Sequence, residues 1–300
     1  MDLTAHNSGM FFDAVLAELY ADYPLHHAER TFRRRHADVF TSKRMLDLGV
    51  GSGRTTQHFL PDVADYVGID IAPEMLAVAR RKHPGATLLD CDIRDIGRFG
   101  KGRFDFVLGA WGLLSAFQHD ERLAILDAVH AALSPGGTFF FSAHNRAWRL
   151  AGSRPLHSRS WHPREIVNSL HPSSWRNYFR LRRLRREEKD YALYNDGAHR
   201  WSGVFYYIDR DAQRRQLEAA GFELVEVYGE DGRVLVPAEP TARDALLHYV
   251  AVQQPRSAEN AEASQSQQSA SGSSASDRRR DTSSLRALLQ TWHVARNGTY

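Results

Sequence analysis

Three glycines, at positions 49, 51 and 53, lie in the run DLGVGSGRTTQHF that extends from Asp47 to Phe59. Glycine between a strand and a helix lets backbone come close to a ligand. Spacing excludes two ligands of that kind. A dinucleotide turn needs G-x-G-x-x-G, with the third glycine where helix and strand pack, and here Arg54 holds that position. A phosphate loop needs Gly-Lys-Ser/Thr, which this chain does not supply. Two acids accompany the glycines. Asp47 lies just before them, where an unpaired buried carboxylate is costly. Asp70 stands 17 positions after Gly53 at the end of a second apolar run. A carboxylate there can accept both hydroxyls of a ribose, or it can cap a helix.

Those residues need a scaffold, and the rest of the chain reads as one. Apolar runs of strand length alternate with amphipathic helical stretches, the pattern of a parallel sheet covered by helices on both faces. Residues 44–49 read as a buried strand, followed by strands over 64–70, 86–92, 103–111 and 138–145. Helices are expected from TTQHFLPDV after the glycines, over 72–83 with Pro73 in the first turn, and over HDERLAILDAVHAAL, which SPGG should terminate. Much later come the helix DRDAQRRQLEAAG, the run FELVEVYGEDG and the run LLHYVAVQ over 246–253. The last two are expected to pair antiparallel at one edge of the sheet.

Composition narrows the class. The chain has 300 residues, 42% hydrophobic and 25% charged, enough for one sizeable core. Its opening, MDLTAHNSGMFFDAVLAELY, has no basic start and no uninterrupted apolar stretch, and no run reaches membrane-spanning length. A cytoplasmic location without a membrane partner is expected. The single cysteine, Cys91, excludes an internal disulfide framework and a cysteine-built zinc site, and no metal is expected. A net charge of +3 is too small to imply nucleic acid.

The pieces LDLGVGSGR, GIDIAPEMLAVAR, LLDCDIRDI, FDFVLGAWGLLSAF, LSPGGTFFFSAHN and AAGFELVEVY follow one another along the chain. Any one is common. Six in register resemble the class I S-adenosylmethionine-dependent methyltransferases of small-molecule type, over nearly all of residues 40–253. The resemblance implies an α/β, Rossmann-like fold with a seven-stranded, mostly parallel sheet in the order 3-2-1-4-5-7-6. It also implies S-adenosylmethionine lying across the carboxyl ends of strands 1 to 3, where ligands sit in open α/β sheets. Cofactor contacts then fall on Asp47, Gly49, Gly51, Gly53, Arg54, Asp70, Ile71 and Met75, and beyond them on Asp92, Ile93, Gly109 and Trp111. Asp70 takes the ribose, and Asp92, or Asp95 nearby, receives the adenine amino group beside the Ile93 backbone. Asp47 is a candidate to orient the cationic amino end, directly or through the loop and water. A nucleoside with an amino-acid arm needs close backbone and acids and no phosphate cradle, which accounts for a loop of this spacing.

In this family the residues after the fourth strand, here Gly109 to Leu113, line the methyl-transfer side. No Asn/Asp-Pro-Pro-Tyr signature is present, which argues against methylation of adenine or glutamine nitrogen. Trp111 packs on the cofactor, walls off the acceptor or is a core aromatic. His144 and Asn145 close the fifth strand and face the same crevice. His144 can act as a general base, or be satisfied by a neighbouring carbonyl. The insertion over 145–208 is expected to cover the acceptor. Tyr206 and Tyr207 occupy positions where relatives place acceptor-contacting aromatics. Hence His144 and Tyr206 are the candidate catalytic residues, and Trp111, His144, Asn145, Tyr206 and Tyr207 the candidate substrate contacts, with core packing competing for each.

A helical lid over 1–40 can bring Phe11, Phe12, Tyr20 and Tyr23 to the other side. In the insertion a basic helix is expected with Leu181 and Leu184 inward and Arg182, Arg183, Arg185 and Arg186 outward. That face is either simply solvated or meets an anionic acceptor, an acidic partner or RNA. The methyltransferase domain is expected over 41–253. From 254 to 300 the Ser- and Gln-rich chain cannot offset its ordering entropy, so a disordered tail with a short terminal helix is expected. The expected activity is transfer of a methyl group from S-adenosylmethionine to an O or N atom of a small-molecule acceptor, by in-line displacement. The alternatives are an RNA or protein methyltransferase that uses the arginine-rich insertion, and a cofactor-binding partner subunit without catalysis.

Overall fold

The computed structural model describes residues 3–8, 14–155, 169–195 and 197–255. Phe11, Phe12 and the tail from 256 lie outside the described residues. Five strands form the parallel body of the sheet: β1 (Arg44–Leu48), β2 (Asp65–Asp70), β3 (Thr87–Asp90), β4 (Phe104–Gly109) and β5 (Leu133–Asn145). β1 reads RMLDL and is buried over 45–48, as befits a central parallel strand covered on both faces. The insertion contributes β6 (Arg186–Glu187), β7 (Tyr191–Tyr194) and β8 (Phe205–Ile208), and the chain ends its sheet with β9 (Phe222–Tyr228) and β10 (Leu246–Gln253).

β10 runs antiparallel to β5, and β9 antiparallel to β10. The main order is therefore β3-β2-β1-β4-β5-β10-β9, the expected seven-stranded arrangement with its closing antiparallel pair. The sheet has ten strands and not seven, because β5 outruns its neighbour. β4 pairs with β5 only as far as Gly109 opposite Phe141. β10 occupies the other edge of β5, so the exposed edge beyond Phe141 is taken by β8, with His144 opposite Tyr207 and Asn145 opposite Ile208. β7 and β6 follow antiparallel.

Among the described residues three helices precede the sheet: α1 (Leu3–Ser8), α2 (Ala14–Ala21) and α3 (His27–Arg35). The other helices among the described residues are α4 (Thr56–Phe59), α5 (Pro73–Lys82), α6 (His119–Ala132), α7 (Pro172–Leu181) and α8 (Arg210–Ala219). Alternation along β5 sends Phe139 and Phe141 into one core with Ile125, Val129 and Leu217, and Phe140 into a second core, where Phe32 of α3 stacks on it at 4.0 Å. Among the described residues no helix is long and apolar enough to cross a membrane.

Local chemistry corrects several expectations. The helix after the glycines is four residues long and ends just before Leu60 and Pro61, the latter lacking the N–H a continuing helix needs. SPGG does not cap α6. The helix stops at Ala132 and the four residues enter β5, where a side chain at Gly137 would meet the Ser134 carbonyl at 2.9 Å. The arginine run does not continue as a helix: α7 ends at Leu181, residues 182–184 form a 3-10 turn and Arg186 joins β6. Leu181 is buried as expected, whereas Leu184 is only half-buried.

Candidate functional site

The three loop glycines do different work. All have positive φ, +60° at Gly49, +55° at Gly51 and +87° at Gly53, which glycine alone adopts without strain. A Cβ on Gly49 would lie 2.7 Å from Leu113 Cδ1, and one on Gly53 would lie 2.6 Å from His83 Cδ2. Those two glycines relieve packing. At Gly51 the nearest atom is the Gly49 carbonyl oxygen at 4.0 Å, so its missing side chain leaves room. The Asp70 carboxylate is held beside that room. Oδ2 accepts from Gly51 N at 2.8 Å and Oδ1 from Ala72 N at 2.9 Å. Burial raises the Asp70 pKa, and these backbone N–H groups partly offset the rise.

Around this cradle, Met75 is buried and its sulfur accepts from Ser52 Oγ at 3.0 Å, Ile71 is half-buried, and Ile93 belongs to the core. Asp92 caps the turn after β3 by accepting from Arg94 N and pairs with the Arg94 guanidinium at 2.7 Å. Burial works against its charge, but the Arg94 bonds prevail and hold the carboxyl below its usual range. Asp95 is exposed. Gly109 backs onto Phe141: a Cβ on Gly109 would lie 3.3 Å from Phe141 Cβ, so a larger residue would crowd the neighbouring strand.

Asp47 is fully buried, and its Oδ2 accepts from Thr55 Oγ1 at 2.6 Å and Tyr66 OH at 2.7 Å. Its Oδ1 has no partner among the described residues. Burial pushes its pKa up to about 6 despite the two hydroxyl donors. Arg54 does not face the cradle. Its two terminal nitrogens each meet Glu29 at 2.7 Å, and the guanidinium lies 5.1 Å from the Trp111 ring centre. Glu29 is itself buried; burial opposes its charge, yet Arg54 holds it far below the ordinary carboxylate range. The same carboxylate accepts from His26 N at 2.7 Å and so caps the start of α3. Arg54 thereby seats the N-terminal helices on the glycine loop.

Trp111 closes the carboxyl end of β4 with φ +56°, a strained value for a non-glycine residue and one found disproportionately at functional sites. Tyr20, Tyr23 and His26 pack on it with ring centres 5.0, 5.2 and 5.5 Å away. Gly112 N then donates to Ser142 Oγ at 2.7 Å. Opposite Ser142 in the sheet stands His248, buried, with neither ring nitrogen partnered among the described residues. Burial lowers its pKa to about 4. His144 is half-buried on the same face of β5, and a Cβ on Gly112 would lie 3.2 Å from its ring.

Two expected contacts leave the crevice. Tyr206 points through the opposite face of the sheet: its OH accepts from Gln216 Nε2 at 2.7 Å and pairs with His119 at 2.9 Å, while Arg122 lies 4.9 Å from its ring. Strand alternation decides this, since Tyr207 takes the crevice face and packs 5.0 Å from the His144 ring. Asn145 is fully buried and spends its amide on the backbone, donating to the Thr241 and Asp244 carbonyls and accepting from Ala147 N. Conversely, His26, Glu29 and His248 carried signals that spacing did not expose. Glu29 is the lone acid in HHAERTFRRRH, and His248 is the polar interruption of the apolar run LLHYVAVQ.

Residues 45–137 match the methyltransferase domain family. A malonyl-[acyl-carrier protein] O-methyltransferase of Enterobacter lignolyticus is 26% identical over 186 residues, 57% of this chain and 72% of that protein. A dTDP-3-amino-3,4,6-trideoxy-alpha-D-glucopyranose N,N-dimethyltransferase of Streptomyces venezuelae is 33% identical over 94 residues, 31% of this chain and only 39% of that protein. Among solved structures, the CcbJ methyltransferase from Streptomyces caelestis has the same fold, with a TM-score of 0.53 at 17% identity, over 82% of this chain and 98% of that one. The family match covers the glycine loop, Asp70 and Trp111, and stops before His144 and His248.

Proposed function

Because the chain is a class I S-adenosylmethionine-dependent methyltransferase, we propose that it methylates an oxygen or nitrogen of a small-molecule acceptor seated beside Trp111, under the N-terminal helices. The cofactor supplies, when bound, a methyl group already activated on a sulfonium. The chain's own work is then alignment and exclusion of water, worth up to ~7–11 kcal/mol for good alignment. The room left at Gly51, next to a fixed carboxylate, suits a ribose, with Asp70 accepting its hydroxyls. The unpartnered Oδ1 of Asp47 suits a cationic amino group at the other end of the same loop. Met75, Ile71, Ile93 and Asp92 would hold the nucleoside, and Gly109 and Trp111 the methyl side.

The observation that carries the small-molecule reading is the roof over the crevice. α2 and Asp22 just after it are tied to α5 by Arg81–Glu18 and Lys82–Asp22, and α3 to the glycine loop by Arg54–Glu29. An opening bridged in this way favours a small acceptor over a polymer. Two arginines of the insertion are engaged within it: Arg182 stacks on Phe179, and Arg185 lies over Tyr194 and donates to the Gly152 carbonyl. His144 and Tyr207 remain candidate acceptor contacts.

The test combines calorimetry with label transfer. Asp70→Ala is expected to weaken S-adenosylmethionine binding by ~1.5–3 kcal/mol, the range for hydrogen bonds to a charged group. Methyl-labelled S-adenosylmethionine incubated with a metabolite extract is expected to yield labelled small molecules detected by mass. Label confined to RNA or protein would replace this reading with a macromolecular acceptor.

A further inference from the structure

One ligating atom each of His26, Glu29 and His248 lies within 4.8 Å of the others, although the three residues come from the start of α3 and from β10. Glu29 and His248 are each 1% exposed, and Arg54 beside them is 5% exposed. The His26 ring faces both His248, at 5.9 Å, and Trp111. Two imidazoles and a carboxylate suggest a divalent cation, but charge argues against one. Both Glu29 oxygens already accept from Arg54, so a metal would bring two positive charges to a buried site whose only carboxylate is neutralised.

Among the described residues His248 has no hydrogen-bonding partner, and leaving a buried polar group unpaired is costly. Its ring is uncharged at neutral pH, so one nitrogen is an acceptor and the other a donor. The Arg54 cation is spent on Glu29 and offers no counter-charge to a carboxylate acceptor. For the same reason Glu29 offers none to an ammonium group.

We propose that His26, Glu29, Arg54 and His248, walled by Trp111, form the acceptor subsite, and that it takes a neutral hydroxyl compound, a phenol or alcohol, whose O–H donates to His248. The proposal rests on the methyl-transfer reading above and narrows it to oxygen. As the hydroxyl oxygen bonds the methyl carbon, the carbon–sulfur pair stays on sulfur. The O–H bond breaks with its pair left on oxygen, and the proton passes to the unprotonated nitrogen of His248. The oxygen becomes strongly acidic as it is alkylated, so a weakly basic imidazole suffices. The connector 22–26, which carries Tyr23 and His26 over the cluster, is non-helical.

The experiment uses the full chain saturated with S-adenosylhomocysteine and follows histidine ring nitrogens by long-range ¹H–¹⁵N NMR, with His248 assigned by its loss in His248→Gln. Phenol, benzoate and benzylamine are the probes. Phenol is expected to shift the His248 nitrogens, while benzoate and benzylamine leave them in place. Absence of a phenol shift, or a shift with either charged probe instead, overturns the subsite. So does a Zn²⁺ titration that loads one metal per chain and fails in His248→Gln. Label transfer to phenols is expected to fall at least about a hundredfold in His248→Gln with S-adenosylhomocysteine affinity retained. If that variant does not fold, His248→Asn takes its place for the assignment, the zinc control and the label transfer. A phenol shift without any methylated product, from any probe or extract, would sink the methyl-transfer reading and leave the subsite standing.

Discussion

The two sides of the crevice are assembled over very different lengths of chain. On the glycine-loop side, Thr55 reaches Asp47 across 8 positions and Gly51 reaches Asp70 across 19. One strand, one loop and the next strand suffice. On the other side, His26 and Glu29 near the start of the chain meet His248 of the last strand. That side exists only when the N-terminal helices dock on the completed sheet. The loop side relies on backbone N–H groups and hydroxyls, whereas the far side is joined to it by a buried ion pair, Arg54–Glu29. A site made locally tolerates remodelling elsewhere, and a site made from chain ends is free to diverge.

The largest expected effect comes from breaking the pair that joins the two sides. Glu29→Ala leaves Arg54 buried without a carboxylate, which typically costs about 3–5 kcal/mol. Urea unfolding measures it, and the double variant Glu29→Leu with Arg54→Met should recover more than half. A loss below about 1 kcal/mol would mean that the sides are held together by something else.

Asp47 gives the next effect, with the opposite sign. Its folded pKa, about 6, lies above the ordinary 3.8, so the folded state holds the proton more tightly than the unfolded one. The stabilisation this brings is complete below about pH 4 and is lost as pH rises through about 6. Asp47→Asn keeps an acceptor for Thr55 and Tyr66 without the buried charge. It should therefore be more stable than the parent by up to about 3 kcal/mol at pH 7.5 and indistinguishable from it near pH 4. A gap of equal size at both pH values would assign the change to packing and not to the charge. Weakened cofactor affinity in the same variant would tie the unpartnered oxygen to the loop side.

Tyr206 carries the smallest expected effect because it belongs to neither side of the crevice. Tyr206→Phe removes the hydroxyl shared with Gln216 and His119 and should cost about 1 kcal/mol of stability. Methyl transfer per folded chain should not change. A selective loss of turnover at unchanged stability would return Tyr206 to the crevice and blur the division.

The same division marks what was legible before the chain was folded. Strands β1 to β5 and the closing pair were readable because apolar runs and punctuating glycines are local signals, and Asp70 because it ends one of those runs. β6 to β8 were not, since two-to-four-residue strands carry little periodicity and pair only where β5 offers an unpaired edge. Tyr206 and Tyr207 are adjacent in sequence and equally aromatic, and only the register of β8 against β5 sent one into the core and the other toward His144. By itself, then, the order of residues determined the doubly covered parallel sheet, the glycine loop and its acid, because each depends on neighbours a few positions away. Tertiary structure alone decided that Arg54 serves Glu29, that Asn145 is spent on backbone, and that His26 and His248 share a buried cluster. Those outcomes depend on which distant segments reach the same volume, and burial then determines which polar groups must find one another.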